Sequence, residues 1–306
     1  MEDAIIRANG LTKDYGHGRG VFGLDLAVKR GEVFGYVGTN GSGKTTTIRH
    51  LMGFIKPDAG STSILGMDSW RDSTRIMNHV SYVPGEIAFP SLPTGTAFLK
   101  SQAEFLGVTD LTYLNHVVKL LQLDPSANLK RMSKGMKQKT AIAAALMGDK
   151  EILVLDEPTT GLDPLMRDTF LDLVRAEKEK GRTVFMSSHI FEEIEEVCDR
   201  VAMIKDGRII EVLDLRELRH GNRKTFRIAF ASPEDAVRFA GAWEPTGAVD
   251  ETAATVAVEV PASELGRLLH ALRVYDVRGL REQHFTLEQH FKNVYLCLLY
   301  TSDAAD

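Results

Sequence analysis

Residues Gly38-Thr39-Asn40-Gly41-Ser42-Gly43-Lys44-Thr45 fit the pattern G-x-x-x-x-G-K-[ST], and few folds can be built around such a loop. Its glycines let successive backbone N–H groups turn inward as a nest for anions. The nest needs a strand that delivers the chain to it and a helix whose positive N-terminal end completes it. Glu32-Val33-Phe34-Gly35-Tyr36-Val37 is a short apolar run of the buried-strand type, and Thr45 to Met52 has helical character. In that setting Gly38, Thr39, Asn40, Gly41, Ser42, Gly43 and Thr46 are expected to surround a polyphosphate. Lys44 is expected to reach the β- and γ-phosphates and the Thr45 hydroxyl to hold Mg²⁺. The ligands this loop implies are ATP and Mg²⁺.

A second glycine pattern, Gly18-Arg19-Gly20-Val21-Phe22-Gly23, formally fits G-x-G-x-x-G. A dinucleotide fingerprint would open a helix, whereas Leu24-Asp25-Leu26-Ala27-Val28 continues as strand, so these glycines read as a hairpin loop. Further on, Glu151 to Leu155 is an apolar strand ending in Asp156-Glu157. Two carboxylates at the C-terminal end of a buried strand sit where ligands of open α/β sheets collect. One can hold a metal while its neighbour activates water.

Of the 306 residues 43% are hydrophobic and 26% charged, a globular balance with room for two domains. A formal charge of −5 gives no basic surplus, so no nucleic-acid partner is expected. Cys198 and Cys297 make neither a disulfide framework nor a metal cluster, which suits a reducing, cytoplasmic setting. The acidic opening Met1-Glu2-Asp3 is unlike a signal peptide, and no apolar stretch approaches the ~20 residues needed to span a bilayer. Any membrane role must run through a partner.

Ala4 to Ala8 and Val21 to Val28 alternate as antiparallel strands do. From Thr94 to Leu123 the spacing turns helical, with Phe98, Phe105, Leu114, Val117, Val118 and Leu121 as expected core positions, and Met136 to Met147 continues as helix. Helix, strand and helix follow over Leu165 to Lys180, Thr183 to Ser187 and His189 to Val197, then strands Arg200 to Lys205 and Arg208 to Val212. The acidic run Glu192, Glu193, Glu195 and Glu196 reads as a solvated helix face without a role. Beyond Gly221 the rhythm restarts: strand Thr225 to Ala231, helix Pro233 to Ala242, strand Thr255 to Val260, helix Ser263 to Tyr275, a strand to Arg281 and a last helix from Leu287. The expected domains are 1–220, with a helical insert over 86–148, and a small α+β domain over 221–296. Residues 297–306 resemble a translated sequencing-library adapter and are set aside as a non-native tail.

Met132-Ser133-Lys134-Gly135-Met136, upstream of the Asp-Glu strand, resembles the L-S-G-G-Q signature of ABC-transporter ATPases, and the order of motifs over roughly residues 4 to 220 is similar to theirs. The resemblance implies an α/β phosphate-loop ABC ATPase core made of an antiparallel β subdomain, a RecA-like parallel sheet and a helical insert. It implies that Tyr15 stacks on adenine, that Asp156 holds Mg²⁺, that Glu157 is the general base and that His189 contacts the γ-phosphate. Gly161-Leu162-Asp163 resembles the loop that touches an opposite subunit. Ser133 and Gly135 would bind the nucleotide held by that second ATPase subunit, in a homodimer or heterodimer. Two departures stand out. Gly85 occupies the usual glutamine position, with Glu86 as its expected substitute near Mg²⁺, and Lys134 replaces the first signature glycine.

The run Ser133 to Gln138, the Pro84-Gly85-Glu86 segment and the C-terminal domain resemble the drug and antibiotic exporter branch. Its ATPases dock on a separate ABC-2 type permease at the inner face of the cell membrane. A soluble ABC ATPase acting as a regulatory module is the alternative, but the chain lacks the tandem repeats, coiled coils and zinc modules that such proteins resemble. The transported substrate is not written in an ATPase subunit.

Overall fold

The computed structural model describes residues 4–216, 223–243, 246–250, 252–283 and 286–292. The chain divides into two compact units, Met1–Leu215 and Arg216–Asp306. The expectation for residues 297–306 lies outside the described residues.

In the first unit β1 (Ala4–Asp14) and β2 (Gly20–Lys29) form the expected hairpin. Gly20 sits at φ +145°, where a Cβ would stand 2.0 Å from the Lys13 carbonyl oxygen, so these glycines close a turn. Strand β3 (Val33–Val37) enters the phosphate loop and α1 (Lys44–Leu51) leaves it. Then come β4 (Ala59–Ile64), β5 (Met67–Asp68), α2 (Ser73–Ile76) and β6 (Val80–Val83). The helical insert holds α3 (Gly95–Leu106), α4 (Thr112–Leu120) and α5 (Lys134–Met147). Strand β7 (Ile152–Asp156), α6 (Pro164–Glu179), β8 (Thr183–Ser188), α7 (Phe191–Val197), β9 (Arg200–Lys205) and β10 (Arg208–Asp214) finish the unit.

Two sheets result. One is antiparallel, in the order β2-β1-β4-β5; the other runs β10-β9-β3-β8-β7-β6, parallel except at its β10 edge. Every residue of β3, β7 and β8 is buried, as expected of parallel strands covered on both faces, and this is why they read as unbroken apolar runs. Pairing of Val37 with Ser188 and of Asp156 with Ser187 brings the C-terminal ends of β3, β7 and β8 to one edge. The phosphate loop, Asp156-Glu157 and His189 therefore leave the sheet side by side, at the edge where open α/β sheets bind ligands.

Of the expected core positions of the insert, Phe98 and Val118 are half-buried and one is fully outside the core. Leu114, Val117 and Leu121 are buried, but Phe105 is 84% exposed. It lies in the last turn of α3, on a flank away from the buried Leu99 and Ala103, so the hydrophobic count around it misread the stripe.

The second unit is an antiparallel sheet in the order β12-β13-β11-β14, made of β11 (Arg223–Phe230), β12 (Thr246–Asp250), β13 (Thr255–Pro261) and β14 (Val277–Gln283). Helices α8 (Pro233–Ala242) and α9 (Leu265–Ala271) supply Ala236, Phe239 and Leu268 to its core. Residues 287–292 are helical. Strand β12 was not expected, because Thr246-Gly247-Ala248-Val249-Asp250 carries too few apolar residues to show alternation. The helix expected over Ser263 to Tyr275 is shorter and is flanked by 3-10 turns.

Candidate active site

Close packing dictates the glycines of the phosphate loop. A Cβ on Gly38 would lie 2.3 Å from the Ile204 carbonyl oxygen, and one on Gly43 2.9 Å from Val21 Cγ1. Gly43 also stands at φ 110° as the N-cap of α1, with no side-chain cap on the helix. The first N–H groups of α1 are thus left for an external acceptor. They border a hollow of about 250 Å³ lined by Tyr15, Arg19, Asn40, Gly41, Gly43, Lys44, Thr45, Thr46 and Glu157, among others. Lys44 is only 4% exposed; its Nζ donates to the carbonyls of Gly38 at 2.9 Å and Thr39 at 3.1 Å and lies 3.3 Å from Glu157 Oε1. Arg19 was not singled out from sequence. Its signal was a cation in the β1–β2 turn, where its carbonyl accepts the Tyr15 N–H at 2.8 Å.

Asp156 and Glu157 are adjacent but differ in surroundings. Asp156 is fully buried, and its Oδ1 accepts from the Ser187 hydroxyl at 2.6 Å. Its Oδ2 has no hydrogen-bond partner of good geometry. Burial pushes its pKa above the ordinary carboxylate value, against the opposing pull of the Ser187 and Thr45 hydroxyls and of Lys44. A desolvated carboxylate with an unused oxygen, beside the Thr45 hydroxyl, is a donor set that fits a hard divalent cation.

Glu157 stands at φ 46°, a left-handed backbone that a non-glycine residue holds at a cost of order 1–3 kcal/mol. Ser187 holds it there, since its carbonyl and its hydroxyl both accept the Glu157 N–H, at 3.2 and 3.0 Å. The bend turns the side chain out of the sheet between Lys44 and His189, whose Nδ1 is 3.3 Å from Glu157 Oε2. Thr160 Oγ1 donates to the same oxygen at 3.5 Å.

Glu86 lines a second hollow of about 330 Å³ with Gly85, Ile87, Lys134, Lys137 and Gln138. It is Gly85 that lies against the carboxylate: a Cβ there would be 3.3 Å from Asp156 Oδ2, so a larger residue would crowd the unused oxygen.

Ser133 and Gly135 also lie apart from the phosphate hollow. Ser133 caps α5, its hydroxyl accepting the Met136 N–H at 3.2 Å, and a Cβ on Gly135 would meet the Gly161 carbonyl oxygen at 2.6 Å. The signature turn is thereby packed on the loop that ends in Asp163, which caps α6 through its bond from the Met166 N–H at 3.0 Å.

The acidic helix face holds one clear correction. Glu193 is not solvated but 1% exposed, bonded by Thr159 and Ser188 and paired with Arg167. On α7 it shares the inward side with Ile194 and Val197, and that helical spacing was the available signal.

A family profile described as ABC transporter matches residues 21–160. The bacitracin transport ATP-binding protein BcrA of Bacillus licheniformis is 35% identical over 76% of this chain and 77% of its own length. The linearmycin resistance ATP-binding protein LnrL of Bacillus subtilis is 33% identical over 68% of each. Among solved structures, an ATP-binding subunit of an ABC transporter superposes with a TM-score of 0.62 at 28% identity, covering 71% of this chain and 92% of that one.

Proposed function

The chain belongs to the ABC transporter family as one of its ATP-binding ATPases, and from that premise we propose that it is the motor subunit of an ABC-2 type exporter of drugs or other amphipathic compounds. The observation that carries the reading is the assembly of Lys44, Asp156, Glu157 and His189 at one edge of the parallel sheet.

Residues Gly38 to Thr46 hold the polyphosphate with their N–H groups, and Tyr15, 46% exposed at the mouth of the hollow, offers its ring to the adenine. Lys44 exchanges the Gly38 and Thr39 carbonyls for phosphate oxygens. Thr45 and Asp156 are the residues that would hold Mg²⁺, which neutralises phosphate charge when bound. Glu157 takes a proton from water as the water oxygen bonds to the γ-phosphorus. The bond from that phosphorus to the β–γ bridging oxygen breaks, giving ADP and phosphate. His189, beside Glu157, stabilises charge on the γ-phosphoryl oxygens.

Ser133 and Gly135 complete the site of a second ATPase subunit, so that closure of the pair is driven by ATP. Among the described residues no helix is long and apolar enough to cross a membrane. In this reading the chain works at the inner membrane face through a separate permease, docked on the insert. Phe105, apolar and 84% exposed on α3, supports that placement. Names of the relatives BcrA and LnrL, which concern bacitracin transport and linearmycin resistance, support the exporter branch.

Steady-state ATP turnover of the purified chain, alone and co-expressed with a membrane protein encoded beside it, tests this. Turnover that requires Glu157 and changes with the permease is expected. Turnover indifferent to any membrane partner overturns the exporter reading.

A further inference from the structure

Glu193 lies behind the catalytic pair, and it touches neither member of it directly. Its Oε2 accepts two hydroxyl hydrogen bonds of 2.9 Å each, from Thr159 and from Ser188. Thr159 is two residues past Glu157, and Ser188 immediately precedes His189. One carboxylate oxygen thus joins the two loops that carry the two catalytic side chains. Its other oxygen, Oε1, is ion-paired with Arg167 Nε at 3.0 Å, on the helix α6 that the Gly161-Leu162-Asp163 loop starts. The Ser188 hydroxyl also accepts the Ile190 N–H at 2.9 Å, which holds the backbone on both sides of His189.

A buried carboxylate is costly unless its lone pairs are used and its charge is met. Burial does push the pKa of Glu193 up, opposed by the Thr159 and Ser188 hydroxyls and by the nearby Arg167 and His189 charges. A merely space-filling side chain at this inward position of α7, next to Ile194 and Val197, would be apolar. Three partners from three separate segments, all converging on one carboxylate, indicate instead a part that sets relative position.

We propose that Glu193 is a positioning residue for ATP hydrolysis, tying the Ser188-His189 turn to the loop after Glu157 and so setting the 3.3 Å approach of His189 to Glu157. The proposal rests on the reading of Glu157 as general base and His189 as its neighbour at the γ-phosphate. The ion pair with Arg167 extends the tie to α6, so that movement of the Asp163 loop against a second subunit is felt at His189.

The test compares Glu193→Ala, Glu193→Gln and Thr159→Val with the unaltered full chain, reading kcat, KM, binding of a fluorescent ATP analogue and Tm. Misplacing a catalytic group by about 1 Å costs on the order of 100-fold. The Ala variant is therefore expected to lose about 10- to 100-fold in kcat, with analogue affinity within about twofold. Glutamine keeps an acceptor oxygen for both hydroxyls and is expected to restore most of kcat. Thr159→Val is expected to reproduce part of the loss and to add little to Glu193→Ala, as members of one network do.

A kcat for Glu193→Ala equal to that of the unaltered chain overturns the proposal. So does a loss matched by an equal loss of analogue binding, or one that Gln fails to restore. Should the Ala variant not fold, Thr159→Val decides: unchanged kcat there overturns the proposal. Glu157→Gln is assayed alongside. If that variant keeps its turnover, the reading of the catalytic pair has failed; if it loses turnover while Glu193→Ala does not, only the positioning role has.

Discussion

The two units of this chain fill their interiors differently. Among the described residues all the buried charged and polar side chains lie in the first unit, including Glu32, Lys44, Asp156, Glu177, Arg182 and Glu193, and none lies in the second. The second closes instead on aromatic rings. Phe239 stacks on Trp243 at 6.0 Å and packs against Phe230 at 5.3 Å and Tyr275 at 5.4 Å. Burying charge opposes folding unless every group is paired, so a unit that only has to fold fills itself with apolar side chains. Buried charge in the first unit sits at both ends of the parallel strands: Lys44, Asp156 and Glu193 at the C-terminal edge beside the phosphate loop, and Glu32, Glu177 and Arg182 at the opposite edge, where Glu32 pairs with Arg200 and Glu177 with Arg182.

Substitution of the proposed general base should have the largest effect. Glu157→Gln keeps shape and hydrogen-bonding reach but cannot take a proton, and removal of such a base costs about 10²- to 10⁴-fold. A loss of that size in kcat is expected, with ATP still bound and, if two subunits close around it, with dimers trapped in excess ATP. Single-turnover kinetics and light scattering check both. A variant that remains monomeric in saturating ATP would break the two-subunit reading.

Next in size is a deletion in the apolar unit. Phe239 is 1% exposed, and truncation of such a phenylalanine costs about 3–5 kcal/mol. Phe239→Ala is expected to lower the melting of the second unit by that amount while ATP turnover of the chain stays within about twofold of normal. If turnover falls with the melting transition, the second unit acts on the ATP site and the contrast between the units is functional as well as structural.

Asp156→Asn reverses the direction. The carboxyl's pKa is raised in the folded chain by burial, so its charged form is disfavoured there relative to the unfolded chain. That cost is in force at pH values above the folded pKa and is relieved as pH falls through it toward the unfolded value. At neutral pH the Asn variant should therefore be the more stable, by roughly 1 kcal/mol, the usual scale of stability given up at a functional site. The gap should narrow on acidification. Mg²⁺ with ATP should raise Tm of the unaltered chain and not of the variant. A variant less stable at pH 7 than its parent would show that the Ser187 hydrogen bond, not desolvation, governs Asp156.

The same contrast explains what was legible in the sequence. The phosphate loop, the apolar strands β3, β7 and β8 and the Asp156-Glu157 pair announce themselves locally, because steric demand on Gly38 and Gly43 and burial on both faces leave a pattern in consecutive residues. The role of Ser187 was not legible. It acts on Asp156 and on the Glu157 backbone from another strand, across 31 residues for its bond to Asp156, and no spacing rule records such a pairing. Glu193 was misread because four acids within five residues look solvated as a group, although its i,i+4 spacing to the buried Val197 puts it on the inward side, away from Glu192 and Glu195.

Phe105 gives the smallest effect and the sharpest use of the comparison. An apolar side chain left 84% exposed contributes little to folding, so Phe105→Ser should change stability by less than about 0.5 kcal/mol. A contact residue for another protein behaves differently, because a buried aromatic anchor at an interface is often worth 2 kcal/mol or more. The expected outcome is a variant with unchanged Tm and unchanged turnover alone, but with about 30-fold weaker association with the co-expressed permease, the factor that ~2 kcal/mol represents. Association and coupled turnover that survive the change would remove Phe105 from the docking surface and leave the remainder of the insert to carry it.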